Sequence, residues 1–284
     1  MVRNEIGGSA TTIKNIGGKK QRLEAPVKTI ILATENQFFK PEDFKNILKW
    51  KDQIKLKGIV PFPNIEGLES NNTEAQIKEG RYSSNELKKA VGGAKYRFDI
   101  SNTTYESFLS YKNSNYTRIY EITDLDEVLC DIDDKGNIRG RKMTSFLIGN
   151  RNQATDSDVP FVDVLIKYEN STHSILTTEG EPSDLEGIYD VELEPLEVTT
   201  SNIKFKVKNT STGSYISQIP YDKFVLHDSR GAVVGGLGNN PVSPDNEYEI
   251  TGVIPEGAKF TIDGVVDLTE LFVEGVGNIT TPAN

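Results

Sequence analysis

Lys95-Tyr-Arg-Phe-Asp-Ile100 decides the fold class. Its side chains alternate, so Tyr96, Phe98 and Ile100 share one face while Lys95, Arg97 and Asp99 share the other. That is the period of a half-buried β-strand. The same pattern extends on both sides. Phe161-Val-Asp-Val-Leu-Ile-Lys-Tyr168 reads as a long strand, as do residues 118–122, 127–132 and 142–148. Asp133-Asp-Lys-Gly136 between the last two is a tight-turn signal, which predicts that they form a hairpin. Upstream, Val27-Lys-Thr-Ile-Ile-Leu-Ala33 is a β-branched apolar run and reads as a buried strand.

Helices are few and short. Lys40-Pro41-Glu42-Asp43 is a helix start, with proline in the first turn and two acids at the positive end; Phe44, Ile47 and Leu48 form its apolar stripe. It fades before Gly58. Ser83-Ser-Asn-Glu86 has capping-box spacing and predicts a second short helix through Lys89 and Ala90, ended by Gly92-Gly93. Asn102 caps a third, carrying Tyr105, Phe108 and Leu109.

Composition shifts mark the domains. Residues 1–24 hold Gly7-Gly8, Gly17-Gly18 and the basic run Lys19, Lys20, Arg22, with little to bury, and read as a flexible arm. Residues 25–177 form a mainly β domain, interrupted by a charged connector from Glu66 to Arg81. The acidic stretch 178–187, containing Gly180 and Pro182, reads as a linker. Beyond it lie short strands at 188–194, 203–208, 223–227, 231–235, 247–253 and 259–262, separated by turn residues. That spacing predicts an immunoglobulin-like β-sandwich over 188–275, without the cysteine pair and core tryptophan of antibody domains. Residues 276–284 read as a frayed tail. The expected fold is therefore mainly β: a barrel- or sandwich-like N-terminal domain with short helices, followed by the immunoglobulin-like sandwich.

Charge and cysteine content narrow the function. The formal net charge is −10, which repels nucleic acid and anionic membrane and argues against tight DNA binding. No stretch approaches the ~20 apolar residues of a membrane-spanning helix. The N-terminus lacks the apolar core of a secretory signal. Cys130 is the only cysteine, so no internal disulfide forms.

Chemistry-bearing residues are sparse. His173 sits in a polar turn and His227 ends a strand, and both read as surface residues. Cys130 lies inside an alternating strand with no histidine near it in sequence, and reads as a buried, inert thiol. Asp131-Ile-Asp-Asp-Lys-Gly-Asn137 matches a calcium loop at Asp131, Asp133 and Gly136, but Lys135 and Lys142 stand where ligands belong. Gly235-Gly-Leu-Gly238 and Gly92-Gly93 lack the helix or the Gly-Lys-Ser/Thr that a phosphate loop requires. Tyr96, Tyr105, Tyr111, Tyr116 and Tyr120 interleave with Lys95, Arg97, Lys112 and Arg118, a pattern that can stack on bases or carbohydrate. Nearby acids make the local field mixed, and core or interface roles are expected. No catalytic, cofactor-binding or metal-ligating residue is assigned, and no enzyme activity is expected.

The order of parts is the remaining signal: a Gly-rich arm, a mixed region with the charged connector, the strand from Ala94 to Ile100, a short aromatic helix, long strands, and a terminal sandwich. This order resembles structural proteins of tailed bacteriophages, in particular tail tube proteins with an appended immunoglobulin-like domain. The resemblance implies a homo-oligomer of rings or a tube contacting other virion proteins, with the sandwich outside and DNA passing through a lumen. It implies a chain made in the host cytoplasm and located in the virion, with no membrane partner. The competing expectation is a binding module, such as a capsid decoration or adhesion protein, acting through the sandwich.

Overall fold

The structure, a computed structural model, describes residues 24–74, 76–79, 84–88, 91–170, 172–240, 242–243, 245–268 and 271–281. The expected arm therefore lies outside the described residues, except for Glu24. The chain is mainly β and divides into two compact units, 1–185 and 186–284.

The first unit runs β1 (Val27–Thr34), α1 (Pro41–Lys45), α2 (Ile47–Lys55), β2 (Ile59–Asn64), β3 (Gly67–Ser70), β4 (Gln76–Glu79), β5 (Ser84–Lys88), β6 (Gly93–Asp99), α3 (Asn102–Ser110), β7 (Tyr116–Thr123), β8 (Glu127–Ile132), β9 (Ile138–Arg139), β10 (Arg141–Ile148), β11 (Phe161–Tyr168) and β12 (Ser174–Thr177). The main sheet has the order β12-β8-β7-β10-β11-β6-β3, and β1 covers the other edge of β7 and pairs with β2. Two devices fold this sheet over. β10 changes partner along its length: Arg141 and Lys142 oppose β7, and residues from Met143 onward oppose β11. Between β2 and β3 the chain likewise crosses over, since the Ile65 N–H donates to the Lys28 carbonyl and the Glu66 N–H donates to the Arg97 carbonyl. Strands that switch sheets in this way turn the corners of a barrel-like sandwich.

The interior explains the closure. Ile30, Leu32, Phe62, Tyr96, Phe98, Ile119, Val162, Val164 and Ile166 form one core cluster, and Phe108 of α3 joins it, 4.4 Å from the Phe62 ring. Ser101 caps α3 by accepting from the Thr104 N–H. The centre of β1 is an apolar run because both of its faces are covered there: Ile30, Ile31, Leu32 and Ala33 are all buried. On the side away from the barrel core lie Phe39, Phe44, Trp50 and Tyr120, with the Trp50 ring 4.6 Å from Phe39 and 5.1 Å from Tyr120. The Trp50 Nε1–H donates to the Phe44 carbonyl at 2.8 Å.

Five expectations are corrected here. The helix after Lys40 breaks at Asn46, whose side chain caps α2 afresh; the phase resets, so Trp50 and Ile54 are buried with Phe44 and Leu48 points outward. Residues 84–88 are a strand paired with β4 rather than a capped helix, for the sequence after that capping box offers no apolar stripe to bury. The turn at Asp133 joins β8 to the short β9, while β10 pairs elsewhere. The supposed connector from Glu66 contains β3 and β4. The stretch read as a linker is held by the first unit as far as Leu185: the Glu179 N–H donates to the Lys45 carbonyl at 2.7 Å, and Ser183 Oγ to Asp126 at 2.7 Å. Pro182 and Leu185, its two apolar anchors, are buried.

The second unit contains β13 (Ile188–Val198), β14 (Asn202–Asn209), β15 (Phe224–His227), β16 (Gly238–Asn240), β17 (Tyr248–Thr251), β18 (Lys259–Ile262), β19 (Val265–Leu268), β20 (Leu271–Gly275) and β21 (Ile279–Thr280). Its sheets, β16-β17-β14-β13-β20-β19 and β15-β18-β21, enclose Phe205, Phe224, Tyr248 and Phe260, with rings 4.9 to 5.7 Å apart in the contacts of Phe205 and Phe224. Residues 231–235 form no strand and touch β15 through a single bridge, Val233 to His227. The expected tail is built in as far as Thr281, which accepts from the Ala258 N–H at 2.8 Å, and Ile279 is buried.

Candidate assembly surface

The pairing of β3 with β6 continues beyond the barrel. The Asn71 N–H donates to the Gly93 carbonyl, Thr73 and Val91 exchange two backbone bonds, and β4 and β5 extend the ribbon. Gly93 sits where this ribbon leaves the sheet; a Cβ there would lie 2.6 Å from the Asn71 carbonyl oxygen and 2.7 Å from that of Ile166. Among the described residues no third strand pairs with β4 or β5. Two strands alone are marginal in water.

Open edges accompany the ribbon. After β10 leaves β7, residues 144–148 have β11 on one side and no strand on the other among the described residues. This run, Thr-Ser-Phe-Leu-Ile, carries no charge and no proline, and Leu147 is 54% exposed. β12, Ser-Ile-Leu-Thr, is a second uncharged edge. Soluble proteins usually blunt such edges with lysine, proline or a covering element.

The outer face of β3, β6 and β11 is ionic. Lys95 bridges Glu69 (3.2 Å) and Asp163 (3.1 Å), and Arg97 bridges Asp99 (3.3 Å) and Asp158 (2.6 Å). The Arg97 guanidinium also lies 3.8 Å from the centre of the Phe161 ring. Glu69, Lys95, Arg97, Asp99, Phe161 and Asp163, with Glu66 and Gly67, border a trough of about 510 Å³. Hydrogen bonds from Lys95 to Asp163 and Glu69 raise its pKa, and the bond from Arg97 to Asp158 raises that of the arginine.

Beneath the corner lies a charge cluster that the sequence did not announce. Glu121 of β7 pairs with Arg141 of β10, at 5% and 7% side-chain exposure. Tyr96 of β6 and Tyr168 of β11 both donate to Glu121, and the two hydroxyls are 2.8 Å apart. The Arg141 guanidinium sits 3.7 Å from the Tyr168 ring centre, and its Nε has no hydrogen-bond partner. Burial pushes both tyrosines well up, and the Glu121 charge adds to it. Burial opposes the Arg141 charge, but Glu121 and the tyrosines outweigh it, so its pKa is raised. Four strands thus meet in one buried polar knot. The available signal was Glu121 itself, an acid between Tyr120 and Ile122 in a strand covered on both sides.

The residues singled out from sequence do not converge. His173 Nε2 is 2.9 Å from Glu24, its Nδ1 is buried without a partner, and His227 belongs to the other unit. The Cys130 thiol is fully buried and pushed up by burial, with Sγ directed at the Ser174 carbonyl. Asp133 accepts from the Lys135 and Asn137 N–H groups, the Asn137 amide and the Arg139 guanidinium. Its carboxylate is thus committed to closing the turn. Gly235-Gly-Leu-Gly238 leads into β16 rather than a helix. Tyr96 and Tyr120 are core residues; Tyr105 donates to the Gly149 carbonyl and Tyr116 to that of Lys57, so they form no common stacking platform. No group of acid, histidine or cysteine side chains that could hold a metal occurs among the described residues. The sequence matches no family model and no curated protein.

Proposed function

We propose that this chain is a self-assembling structural protein of a virion, whose first unit joins identical copies edge to edge into rings or a tube. The assembly its order of parts resembles is the phage tail tube. The observation that carries the self-assembly is the uncharged edge of β10, which, like the β4–β5 ribbon, has no further strand paired to it among the described residues. Pairing such an edge with an identical neighbour satisfies its backbone groups and removes an aggregation hazard. The virion setting rests on the resemblance alone. In this reading DNA passes through the lumen without being gripped, in keeping with a net charge of −10.

The second unit takes the part of an outward passenger. The broad sheet of its sandwich sets Glu192, Glu194 and Glu197 opposite Lys208, Lys206 and Lys204, and Lys204 opposite Glu249. Alternating charge rows suit a solvated face. Sedimentation velocity over a wide concentration range, followed by negative-stain microscopy, tests the reading. Discrete rings or tubes are the expected result; a monomer at the highest concentrations sinks it and favours the binding module.

A further inference from the structure

We propose that the trough on the outer face of β3, β6 and β11 receives the basic segment 1–23 of a neighbouring copy; this rests on the self-assembly reading. The face is under-neutralised. Lys95 and Arg97 are each shared between two carboxylates, and Glu66, on the same rim, has no ion-pair partner among the described residues. Phe161 adds an apolar wall, against which the Arg97 guanidinium already lies.

The segment is the chemical complement. Arg3, Lys14, Lys19, Lys20 and Arg22 stand against a single acid, Glu5, in a chain whose total charge is −10. Ile13 and Ile16 lie between the cations and match the apolar wall. The segment joins the unit at Glu24, which meets His173 just before β12. β11 both pairs with the open β10 edge and lines the trough, so when copies join along that edge the trough lies one strand from the joint, within reach of the neighbour's segment. A chain of this length reaches at most about 80 Å, ample for a trough on the adjacent copy.

The test uses the full chain and two single variants, Lys20→Cys and Glu66→Cys, the native Cys130 being buried. Glu66 is exposed, so its replacement leaves the core intact. Mixed under mild oxidation, the two variants are expected to give a covalent heterodimer. Its yield should fall severalfold in 1 M salt, where exposed charges are screened within ~3 Å, and again when Glu69→Lys and Asp158→Lys are added to the Glu66→Cys chain. A cross-link formed only within a chain carrying both cysteines overturns the assignment to a neighbour. Rings or tubes that form without any cross-link overturn the docking while leaving self-assembly standing. A protein that neither assembles nor cross-links overturns both.

Discussion

Replacing Arg141 by methionine isolates the energetic role of the buried knot. The guanidinium and the Glu121 carboxylate are almost wholly removed from water, and breaking such a pair from one side typically costs about 3–5 kcal/mol. The two single changes are not equivalent. After Arg141→Met, Glu121 still accepts from Tyr96 and Tyr168, so the loss belongs near ~3 kcal/mol. After Glu121→Leu, Arg141 keeps only the Tyr168 ring and a Nε already without a partner, which places it near ~5 kcal/mol. In the double variant the two hydroxyls remain bonded to each other at 2.8 Å, no charge is stranded, and most of the loss returns, leaving ~1–2 kcal/mol. Trp50, the only tryptophan and fully buried in the first unit, reports this unit alone. Urea unfolding followed by its fluorescence should show the Glu121→Leu midpoint lowered by ~2 M or more for an m-value near 2 kcal/mol/M, with the double variant recovering most of that shift. Additive single losses, or single losses below ~1 kcal/mol, would refute the reasoning, because a solvated pair behaves that way.

Three further outcomes follow from the structure. Leu147→Lys places a charge on the open β10 edge and should raise the concentration needed for assembly about tenfold or more, equivalent to ~1.4 kcal/mol, with unchanged Trp50 unfolding; unaltered sedimentation counts against that edge as the joint. Asp133 is subject to desolvation that raises its pKa, yet bonds from the Asn137 side chain and backbone, Arg139 and Lys135 overcome this and hold it at about 2. Its stabilisation is therefore present above the unfolded carboxyl value of ~3.9 and disappears as pH falls toward 2. The melting-temperature gap between the native chain and Asp133→Asn should be widest at neutral pH and close across that window, and a gap independent of pH defeats the assignment. Residues 186–284 expressed alone should unfold cooperatively in calorimetry, since their core is formed within that unit; a broad, non-cooperative melt contradicts the division.

The legible parts of the sequence were those in which one physical rule acted without competition. β6 and β11 alternate because one face meets the core and the other meets water, and Ile30 to Ala33 of β1 run apolar without alternation because neither face meets water there. Errors arose where local signals lacked a burial partner. The capping-box spacing at Ser83 carries no information about what a helix would pack against, and the chain pairs those residues as a ribbon. Leu48 fitted the helical stripe only for an unbroken helix, and Asn46 restarts the turn. β19 and β20 have four and five residues, too few for a period to stand out from a turn-rich background. The Glu121–Arg141 pair was beyond reach because strand neighbours 20 residues apart declare themselves only through topology.

The two units handle their sheet edges in different ways, and this asymmetry bears on the proposed assembly. In the sandwich, the terminal strands β16 and β19 have three and four residues, and β15 and β21 have four and two, β15 being met by the bridge from Val233. Asn240 on β16 is tied back to Glu249, and Asp267 interrupts β19. Short edges with polar ties cannot template a long partner strand. The first unit instead leaves residues 144–148 and β12 uncharged and extends a ribbon that has no third strand among the described residues. A chain under pressure only to remain monomeric would blunt both units alike. Protection confined to the sandwich is the pattern expected when one unit must join copies of itself and the other must stay out of that joint.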